Sequence, residues 1–259
     1  MPLILSEKRE GLGIITLNNT EKRNCFSHAM INELLEVLCD FEKSNIWVVI
    51  LRAPAGVKVW SAGHNICELP APGKDPLPYA GPFEVMLHAI QDYPGPVIAM
   101  VEGTVWGGGC DVVLCCDLAI GCDNSTFAMT PAKMGIPYNP SGLIHFINKI
   151  GLSKVKEMFY TAQPITADEA FHNGILNHVV TAEKLEEVTL EHANSILKNA
   201  PTAVCVLKKQ FRLLTKGNAI DAETAEQIQA LRRVVFNSND YVEAINAFKE
   251  KRKPCFKGE

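Results

Sequence analysis

Two glycine-containing segments hold residues whose types and spacing could do chemistry. The first is Val59–Ile66 (VWSAGHNI), and the second is Val101–Asp111 (VEGTVWGGGCD). Glycine lets a backbone turn sharply and lets a ligand approach the amides closely. Gly107–Gly109 precede the apolar run Val112–Leu114, so a helix starting there would present unpaired N–H groups. Two such loops side by side could aim two amides at one oxygen atom, which is an oxyanion hole.

The glycine run also has a simpler interpretation. Three glycines before a helix can serve only tight packing, and spacing alone does not separate the two roles. The sequence contains no Gly-x-Gly-x-x-Gly, Walker, Gly-x-Ser-x-Gly, Cys-x-x-Cys or His-Glu-x-x-His pattern. It therefore does not indicate a dinucleotide fingerprint, a nucleotide phosphate loop, a serine hydrolase elbow or a common metal site.

The elements that must position these loops alternate between strands and helices in the first half. Gly13–Leu17, Trp47–Leu51 and Pro96–Val101 are short β-branched runs, typical of strands buried on both faces. Between the first two, Ser27–Phe41 has apolar residues at helical spacing, and Ser27 is a suitable N-cap. Strand, helix and strand in this order favour parallel pairing. The proline-rich Pro70–Pro82 predicts a surface loop.

Helical patterns dominate after about residue 140. A capping box, Thr166–Glu169, predicts the start of one helix. Five further helices are predicted over Ser153–Thr161, Val180–Ile196, Thr202–Thr215, Ala222–Phe236 and Tyr241–Lys249. The sequence thus predicts an α/β core over 1–200 and a helical region over 201–259, with no linker between them. The amphipathic tail either folds back over the core or meets another subunit.

Composition limits the class of protein. The 259 residues are 47% hydrophobic and 21% charged with a net charge of −4, which excludes a disordered chain and bulk binding to nucleic acid. No window has the ~18 apolar residues of a membrane span, and charges interrupt the amino-terminal segment where a signal peptide is apolar. Nine cysteines, most of them in apolar segments such as those around Cys39, Cys115, Cys116 and Cys205, predict buried thiols in a reducing, cytoplasmic compartment.

Taken together, the two loops identify a family. Ser61–Ile66 (SAGHNI), followed about forty residues later by Val101–Gly109 (VEGTVWGGG), resembles the crotonase (enoyl-CoA hydratase/isomerase) superfamily. Lys22–Ser27 (KRNCFS) and Lys251–Pro254 (KRKP) extend the resemblance over nearly the whole chain. It implies an acyl-CoA site on a spiral of ββα turns, with a C-terminal α-helical region used for trimerisation. A homotrimer or a dimer of trimers is expected, with no nucleic-acid or membrane partner.

The resemblance also assigns site residues. It gives the oxyanion role to the backbone amides of His64 and Gly108, while a side-chain base at His64 stays an alternative because imidazole titrates near neutrality. It further implies contacts to the acyl-CoA substrate, and places Thr130 near the acyl group and Lys251 near the nucleotide or pantetheine. The expected substrate-binding residues are Ala62, Gly63, His64, Asn65, Ile66, Gly108, Thr130 and Lys251.

The reaction is the remaining choice. A hydratase of this family uses two carboxylates, and the matching positions here hold Asp111 and Ala132. Several segments, among them Met129–Asn139 (MTPAKMGIPYN), resemble instead the methylmalonyl-CoA decarboxylase subgroup, with Tyr138 as the residue that orients the substrate carboxylate. This resemblance implies carboxy-lyase chemistry on methylmalonyl-CoA or a close malonyl-type thioester. No metal or other cofactor is implied, since coenzyme A enters with the substrate.

Three possibilities therefore stay open. The first is a cofactor-independent decarboxylase, which the resemblance favours. The second is a hydratase, isomerase or C–C hydrolase that uses Asp111 and His64. The third is a non-catalytic acyl-CoA-binding member of the family. Asp111 also has a structural interpretation, because an acid in the first turn of a helix is favoured by the helix dipole.

Overall fold

The computed structural model describes residues 1–215 and 222–257, and arranges their strands in two sheets. The strands are β1 (Ile4–Arg9), β2 (Leu12–Leu17), β3 (Val48–Arg52), β4 (Val59–Ser61), β5 (Val97–Val101), β6 (Thr104–Trp106), β7 (Leu118–Cys122), β8 (Thr126–Ala128), β9 (Ile165–Thr166) and β10 (His178–Val180). The larger sheet has the order β1-β2-β3-β5-β7-β10, and the smaller has the order β4-β6-β8-β9.

Helices connect these strands and form the C-terminal part of the chain. They are α1 (His28–Lys43), α2 (Pro82–Asp92), α3 (Gly108–Cys115), α4 (Pro140–Ile150), α5 (Leu152–Thr161), α6 (Ala167–His172), α7 (Ala182–Leu197), α8 (Pro201–Thr215), α9 (Ala222–Phe236) and α10 (Asn239–Lys249). Mixed α/β architecture with C-terminal helices is the fold class that the sequence predicted. Residues 216–221 and 258–259 of the predicted helical region lie outside the described residues.

The larger sheet confirms the three predicted strands and their parallel pairing. Strands β2, β3, β5, β7 and β10 run parallel, and β1 pairs antiparallel with β2. All five residues of β5 are buried, as a continuous apolar run in a central strand requires. Helix α1 follows β2 as predicted, and its N-cap Ser27 accepts a hydrogen bond from Met30 N–H at 3.2 Å. The cap stabilises the first turn of α1.

The smaller sheet was not predicted from the sequence, and it is the sheet that positions the site. Strands β4, β6 and β8 run parallel and have only three residues each. A three-residue strand is too short to give a readable alternation of apolar and polar residues. Since parallel strands bring their carboxyl ends to one edge of a sheet, the loops that follow β4, β6 and β8 lie together.

Two segments differ from their predictions. The helix predicted from Val180 begins instead at Ala182, because His178–Val180 pair with β7 as strand β10. The Pro70–Pro82 segment is a loop as predicted, but it is not wholly a surface loop: Leu77 is buried, and Pro82 is the first residue of α2. Arg232, described below, holds this loop inward.

The cysteines also depart in part from their prediction. All nine are free thiols, and Cys115 and Cys116 are buried as expected. Cys39 is exposed, because it lies on the solvent side of α1, and Cys205 is only partly buried. Within the described residues, no helix combines the length and apolar character that a membrane crossing needs.

The tail helices leave apolar side chains in solvent. Helix α8 exposes Val206, Leu207, Phe211, Leu213 and Leu214, and α9 exposes Leu231 and Val234. One residue of α8 points inward: the ammonium of Lys208 donates to Asp117 Oδ2 at 2.7 Å and to Gly95 O at 2.9 Å. The tail is therefore anchored to the core by a buried cation, and its apolar face is left uncovered in the single chain.

Candidate active site

The two loops singled out in the sequence lie against each other. Strands β4 and β6 pair in parallel, with Ser61 opposite Val105, so both strands end at the same edge. Gly63 follows with a φ of +82°, a conformation that favours glycine. A Cβ atom at this position would lie 2.5 Å from Trp106 O. The close approach of these backbones depends on glycine and brings His64 beside Gly108.

The amides of His64 and Gly108 are unpaired donors of these loops. Phe26 N–H donates to Gly63 O at 2.8 Å, and Asn65 N–H donates to Phe26 O at 3.1 Å. Successive amides of an extended segment point to opposite sides, so His64 N–H faces away from Phe26. Gly108 is the first residue of α3, where amides lack a helical acceptor. Within the described part of the chain, neither amide donates to a backbone or side-chain acceptor.

A cavity of about 60 Å³ lies next to these amides. Its wall contains six of the predicted site residues: Ala62, His64, Ile66, Gly108, Thr130 and Tyr138. A second cavity of about 200 Å³ shares His64, Leu77 and Phe83 with the first. The two cavities are therefore neighbours.

Three predicted substrate-binding residues do not line the first cavity. Gly63 is buried behind the loop. The side chain of Asn65 is used locally, since its Oδ1 accepts a hydrogen bond from Cys67 N–H at 3.2 Å. Lys251 is exposed and follows the end of α10 with a φ of +55°. The structure brings the other predicted residues together and leaves these three outside the cavity wall.

The imidazole of His64 is a poor candidate for a base. Burial lowers the pKa of His64 to about 4, so the ring is uncharged at neutral pH and binds a proton weakly. Its Nδ1 is buried without a hydrogen-bond partner among the described residues, and the ring packs edge-on against Phe83. These features favour a role for the amide of His64 over a role for its side chain.

Tyr138 and Asp111 are joined by a hydrogen bond at the side of the cavity. The phenol donates to Asp111 Oδ2 at 2.8 Å, and Asp111 is completely buried on α3. Burial raises the pKa of Tyr138 well above its usual value, and the neighbouring carboxylate raises it further. The phenol therefore stays protonated at physiological pH and can act as a hydrogen-bond donor.

His145 completes this group, and no motif in the sequence pointed to it. Its Nδ1 lies 2.8 Å from Asp111 Oδ1, because α4 packs against α3. Gly142 makes the packing possible: a Cβ atom there would lie 2.3 Å from Tyr138 Cε1 and 2.7 Å from Asp111 Oδ2. Gly142, one turn before His145, is the feature of the sequence that could have indicated this close contact.

Asp111, Cys115 and His145 have ligand atoms within 4.8 Å of one another, the one such group found in the described residues. A metal would need the thiolate of Cys115. Burial raises the pKa of Cys115 well above its usual value, and the charge of Asp111 adds to the effect. Hydrogen bonds already account for the short distances. The group is therefore best described as a hydrogen-bonded cluster.

A second buried acid, Glu84, holds the segment next to Tyr138. It lies on α2, accepts a hydrogen bond from Asn139 Nδ2, and accepts a second from Ser141 Oγ at 2.6 Å. Sequence reasoning missed Glu84, because α2 shows only an acid in its first turn. Ala132, the position expected to hold a hydratase's second acid, is exposed.

Arg232 of α9 connects the tail to two walls of the site. Its guanidinium donates to both oxygens of Asp75, at 2.5 and 2.6 Å, and to Leu77 O at 3.1 Å. It also donates to Pro137 O at 3.3 Å, directly before Tyr138. One buried cation thus fixes the proline-rich loop and the segment that carries the phenol.

Comparison with known proteins identifies the family. The model of the enoyl-CoA hydratase/isomerase family matches residues 7–259. The chain belongs to this family.

Three comparisons indicate where in the family it lies. Methylmalonyl-CoA decarboxylase of Escherichia coli (strain K12) is 45% identical over 247 residues, covering 95% of each chain. A solved structure of methylmalonyl-CoA decarboxylase in complex with 2-nitronate-propionyl-CoA has a TM-score of 0.96 at 43% identity and covers 99% of each chain. The short-chain-enoyl-CoA hydratase of Clostridium acetobutylicum is 29% identical over 96% of this chain and 95% of its own. The chain is thus more similar to a decarboxylase than to a hydratase.

Proposed function

We propose that this protein decarboxylates methylmalonyl-CoA or a close malonyl-type thioester without a cofactor. The bond between C2 and the carboxylate breaks, CO2 leaves, and the electron pair delocalises onto the thioester oxygen as an enolate. A proton then adds to C2, which gives propionyl-CoA from methylmalonyl-CoA. The 45% identity with a methylmalonyl-CoA decarboxylase supports this substrate. The observation that carries the proposal is the placement of two unpaired amides and a protonated phenol around one cavity.

The amides of His64 and Gly108 are the proposed oxyanion hole. Negative charge builds up on the thioester oxygen only as the C–C bond breaks, so donors fixed in advance stabilise the transition state more than the ground state. One such donor contributes about 3–4 kcal/mol in enzymes where it has been removed. The Gly63 backbone supports this role because it holds the two loops in contact.

Tyr138 is the proposed orienting residue. The carboxylate must stand perpendicular to the thioester plane so that the breaking bond overlaps with the carbonyl, and fixing that geometry is largely an entropic task. A phenol supplies one hydrogen bond without a positive charge. A cation would stabilise the ground-state carboxylate and slow its loss. The described residues of the cavity wall include no lysine and no arginine, which supports the proposal.

The rest of the acyl-CoA is proposed to run along the first loop. Ala62–Ile66 would contact it, Thr130 would lie near the acyl group, and Lys251 would pair with a phosphate. The second cavity, which shares His64 with the first, gives space for the pantetheine arm. Lys251 is exposed, so its ammonium is open to a charged ligand. Coenzyme A enters as part of the substrate, and the chemistry requires no metal or organic cofactor.

The protein is further proposed to act as a homotrimer or a dimer of trimers in the cytoplasm. The exposed apolar residues of α8 support assembly, since a contiguous apolar face on a single chain indicates an interface. Nine unpaired cysteines support a reducing compartment.

A product assay tests the function. The protein is incubated with methylmalonyl-CoA, malonyl-CoA, ethylmalonyl-CoA and crotonyl-CoA, and the products are identified by mass. We expect CO2 and propionyl-CoA from methylmalonyl-CoA without added metal, biotin or nucleotide. Hydration of crotonyl-CoA should be slower or absent, because Ala132 supplies no second acid. Faster hydration than decarboxylation would contradict the proposal.

A further inference from the structure

Two acceptors compete for the single hydroxyl hydrogen of Tyr138. In the structure it goes to Asp111 Oδ2, at 2.8 Å. The proposed function needs the same hydrogen on the substrate carboxylate. One phenol cannot donate to both at full strength. The substrate would also bring a second carboxylate close to Asp111, and like charges in a buried site repel strongly. Decarboxylation therefore needs a way to free the phenol and to neutralise Asp111.

His145 is placed to supply the proton that would neutralise Asp111 and free the phenol. Its Nδ1 lies 2.8 Å from Asp111 Oδ1, on the side of the carboxylate away from Tyr138. The Asp111 side chain is 1% exposed and that of His145 is 16% exposed, so the imidazole is the member of the pair that can exchange a proton with solvent. Gln91 Nε2 lies 3.1 Å from His145 Nε2 and can donate to it when the ring is neutral.

We propose that Asp111 and His145 are positioning residues that share one proton, and that this proton sets the direction in which Tyr138 donates. The inference rests on the proposed function. Before substrate binds, the proton is on His145, the Gln91 amide is turned so that its oxygen accepts from Nε2–H, and Asp111 accepts from both the imidazolium and the phenol. In the substrate complex the net change is that His145 Nε2 loses a proton and Asp111 Oδ2 gains one.

The new carboxylic acid then donates to Tyr138 Oη, and the phenol donates to the substrate carboxylate. His145 keeps its Nδ1–H on Asp111 Oδ1, and Gln91 donates to its Nε2. The total number of protons in the cluster is unchanged, and only N–H and O–H bonds are exchanged. Once CO2 has left, the proton returns to His145, and the phenol again donates to Asp111.

The surroundings of His145 set the pH range of this exchange. Charged and titratable groups face it from the neighbouring elements: Asp111 and Cys115 from α3, Glu84 from α2 and Arg212 from α8, while Tyr138 lies beyond Asp111. Burial lowers the pKa of His145, but the hydrogen bond and charge of Asp111, with the charge of Glu84, outweigh burial and raise it. The shared proton is present below this raised pKa and is lost as the pH rises through it.

Asp111→Asn tests the exchange directly. An amide at this position can accept the Nδ1–H of His145 with its oxygen and donate to Tyr138 Oη with its nitrogen, so the phenol points to the substrate at every pH. We expect the kcat/KM of the wild type to fall through a rise in KM as the pH rises through the raised pKa of His145, and that of Asp111→Asn to stay level. Above the pKa of His145 the variant should exceed the wild type by about threefold or more. Asp111→Leu does not fix the direction of the Tyr138 hydroxyl, so its kcat/KM should be about 10- to 100-fold lower than that of the wild type.

His145→Asn is the second variant, and it tests the proton-sharing proposal if Asp111→Asn does not fold. It removes the partner that holds the proton, so the alkaline fall in kcat/KM should move to lower pH by about one unit or more. If the alkaline decrease in kcat/KM occurs at the same pH in His145→Asn as in the wild type, the proposal is overturned. It is also overturned if Asp111→Asn folds by circular dichroism and is as impaired as Asp111→Leu. A wild type that releases no CO2 from any malonyl-type thioester would instead refute the proposed function.

Discussion

Gly63 and Gly108 approach so closely that a Cβ atom on Gly63 would lie 2.7 Å from the Gly108 nitrogen. These residues belong to loops that follow two neighbouring parallel strands, β4 and β6. The distance between the proposed oxyanion amides is therefore set by two backbones in contact. A side chain between them would change the site without touching the substrate.

Gly63→Ala should separate the two loops and remove activity. The new methyl group would also meet Trp106 O at 2.5 Å, and a backbone contact cannot be relieved by rotating a side chain. We expect kcat for decarboxylation to fall by about 100-fold or more, the cost reported for losing one oxyanion donor. The left-handed backbone conformation adds a strain of about 1–2 kcal/mol. Steady-state kinetics and thermal unfolding measure the two effects.

Gly56→Ala is the matched control for Gly63→Ala. Gly56 has a φ of +76°, close to the +82° of Gly63, but a Cβ atom there would have no neighbour within 4 Å. It should lower stability by a similar strain, about 1–2 kcal/mol, and leave kcat unchanged. Equal losses of kcat in the two variants would show that loss of the contact between the loops does not cause the loss of activity in Gly63→Ala.

Arg232→Met should destabilise the protein and weaken substrate binding. The change leaves the carboxylate of Asp75 without its bidentate partner in a site where its side chain is 16% exposed. Breaking a buried pair in this way costs about 3–5 kcal/mol. The walls at Leu77 and Pro137 lose their anchor, so KM should rise. Chemical denaturation and steady-state kinetics measure the two effects.

The double variant Asp75→Asn, Arg232→Met should recover part of the lost stability, because it removes the stranded charge. pH provides a second check. Burial raises the pKa of Asp75, but hydrogen bonds from Gln229, from Leu77 N–H and from Arg232 outweigh burial and lower it. The pair therefore stabilises the fold at neutral pH, and this contribution is lost as the pH falls through the lowered pKa. A difference in unfolding free energy between the wild type and Arg232→Met that does not shrink as Asp75 is protonated would contradict the assignment.

Three variants distinguish the role of the backbone amides from that of the His64 side chain. They are His64→Ala, Gly108→Pro and Gly108→Ala. Alanine at 64 keeps the amide and removes a ring whose pKa is about 4, so kcat should fall by less than about tenfold. Proline fits the first turn of α3 but removes the N–H, whereas alanine keeps it. Since both substitutions crowd Phe83, proline should cost about 100-fold more than alanine. A folded His64→Ala variant without activity would assign the chemistry to the ring.

The sequence predicted those parts of the fold that have long periodic patterns. Strands near Gly13–Leu17 and Pro96–Val101 and the helix after Ser27 were predicted within a few residues, because burial on known faces leaves a clear pattern. Strands β4, β6 and β8 were missed, although they position the site, because three residues carry no period.

The sequence likewise predicted some residues of the candidate site and missed others. The family resemblance placed Gly108 and Tyr138, and both line the cavity. His145 and Glu84 were missed, because their contacts with Asp111 and Asn139 cross between helices that are far apart in sequence. Such contacts depend on how α2, α3 and α4 pack, and although Gly142 indicates a close contact, the sequence does not say with which helix. Cys39 shows the converse error, since an apolar neighbourhood in sequence did not predict its exposed position.

The exposed face of α8 should be covered by other copies of the chain. Phe211 and Leu214 are 63% and 77% exposed, a costly arrangement for apolar residues on a helix that is otherwise amphipathic. We expect sedimentation to give a trimer or a pair of trimers, and a Phe211→Glu, Leu214→Glu double variant to sediment as smaller species. A wild type that stays a 28.5 kDa monomer at micromolar concentration would rule out this assembly.

Tyr138→Phe tests the orienting role most directly. The change keeps the ring, its edge-on contact with Phe159 and most of the packing, and it removes only the hydroxyl. Without the hydrogen bond the substrate carboxylate is free to rotate out of the perpendicular geometry, so decarboxylation should slow by about 10- to 100-fold. Binding of propionyl-CoA, which has no carboxylate to orient, should be nearly unchanged by calorimetry, because the amides of His64 and Gly108 remain. Since the hydroxyl also donates to Asp111, circular dichroism must show an intact fold. A Tyr138→Phe variant that decarboxylates at the wild-type rate would remove the phenol from the mechanism and leave orientation to the shape of the cavity alone.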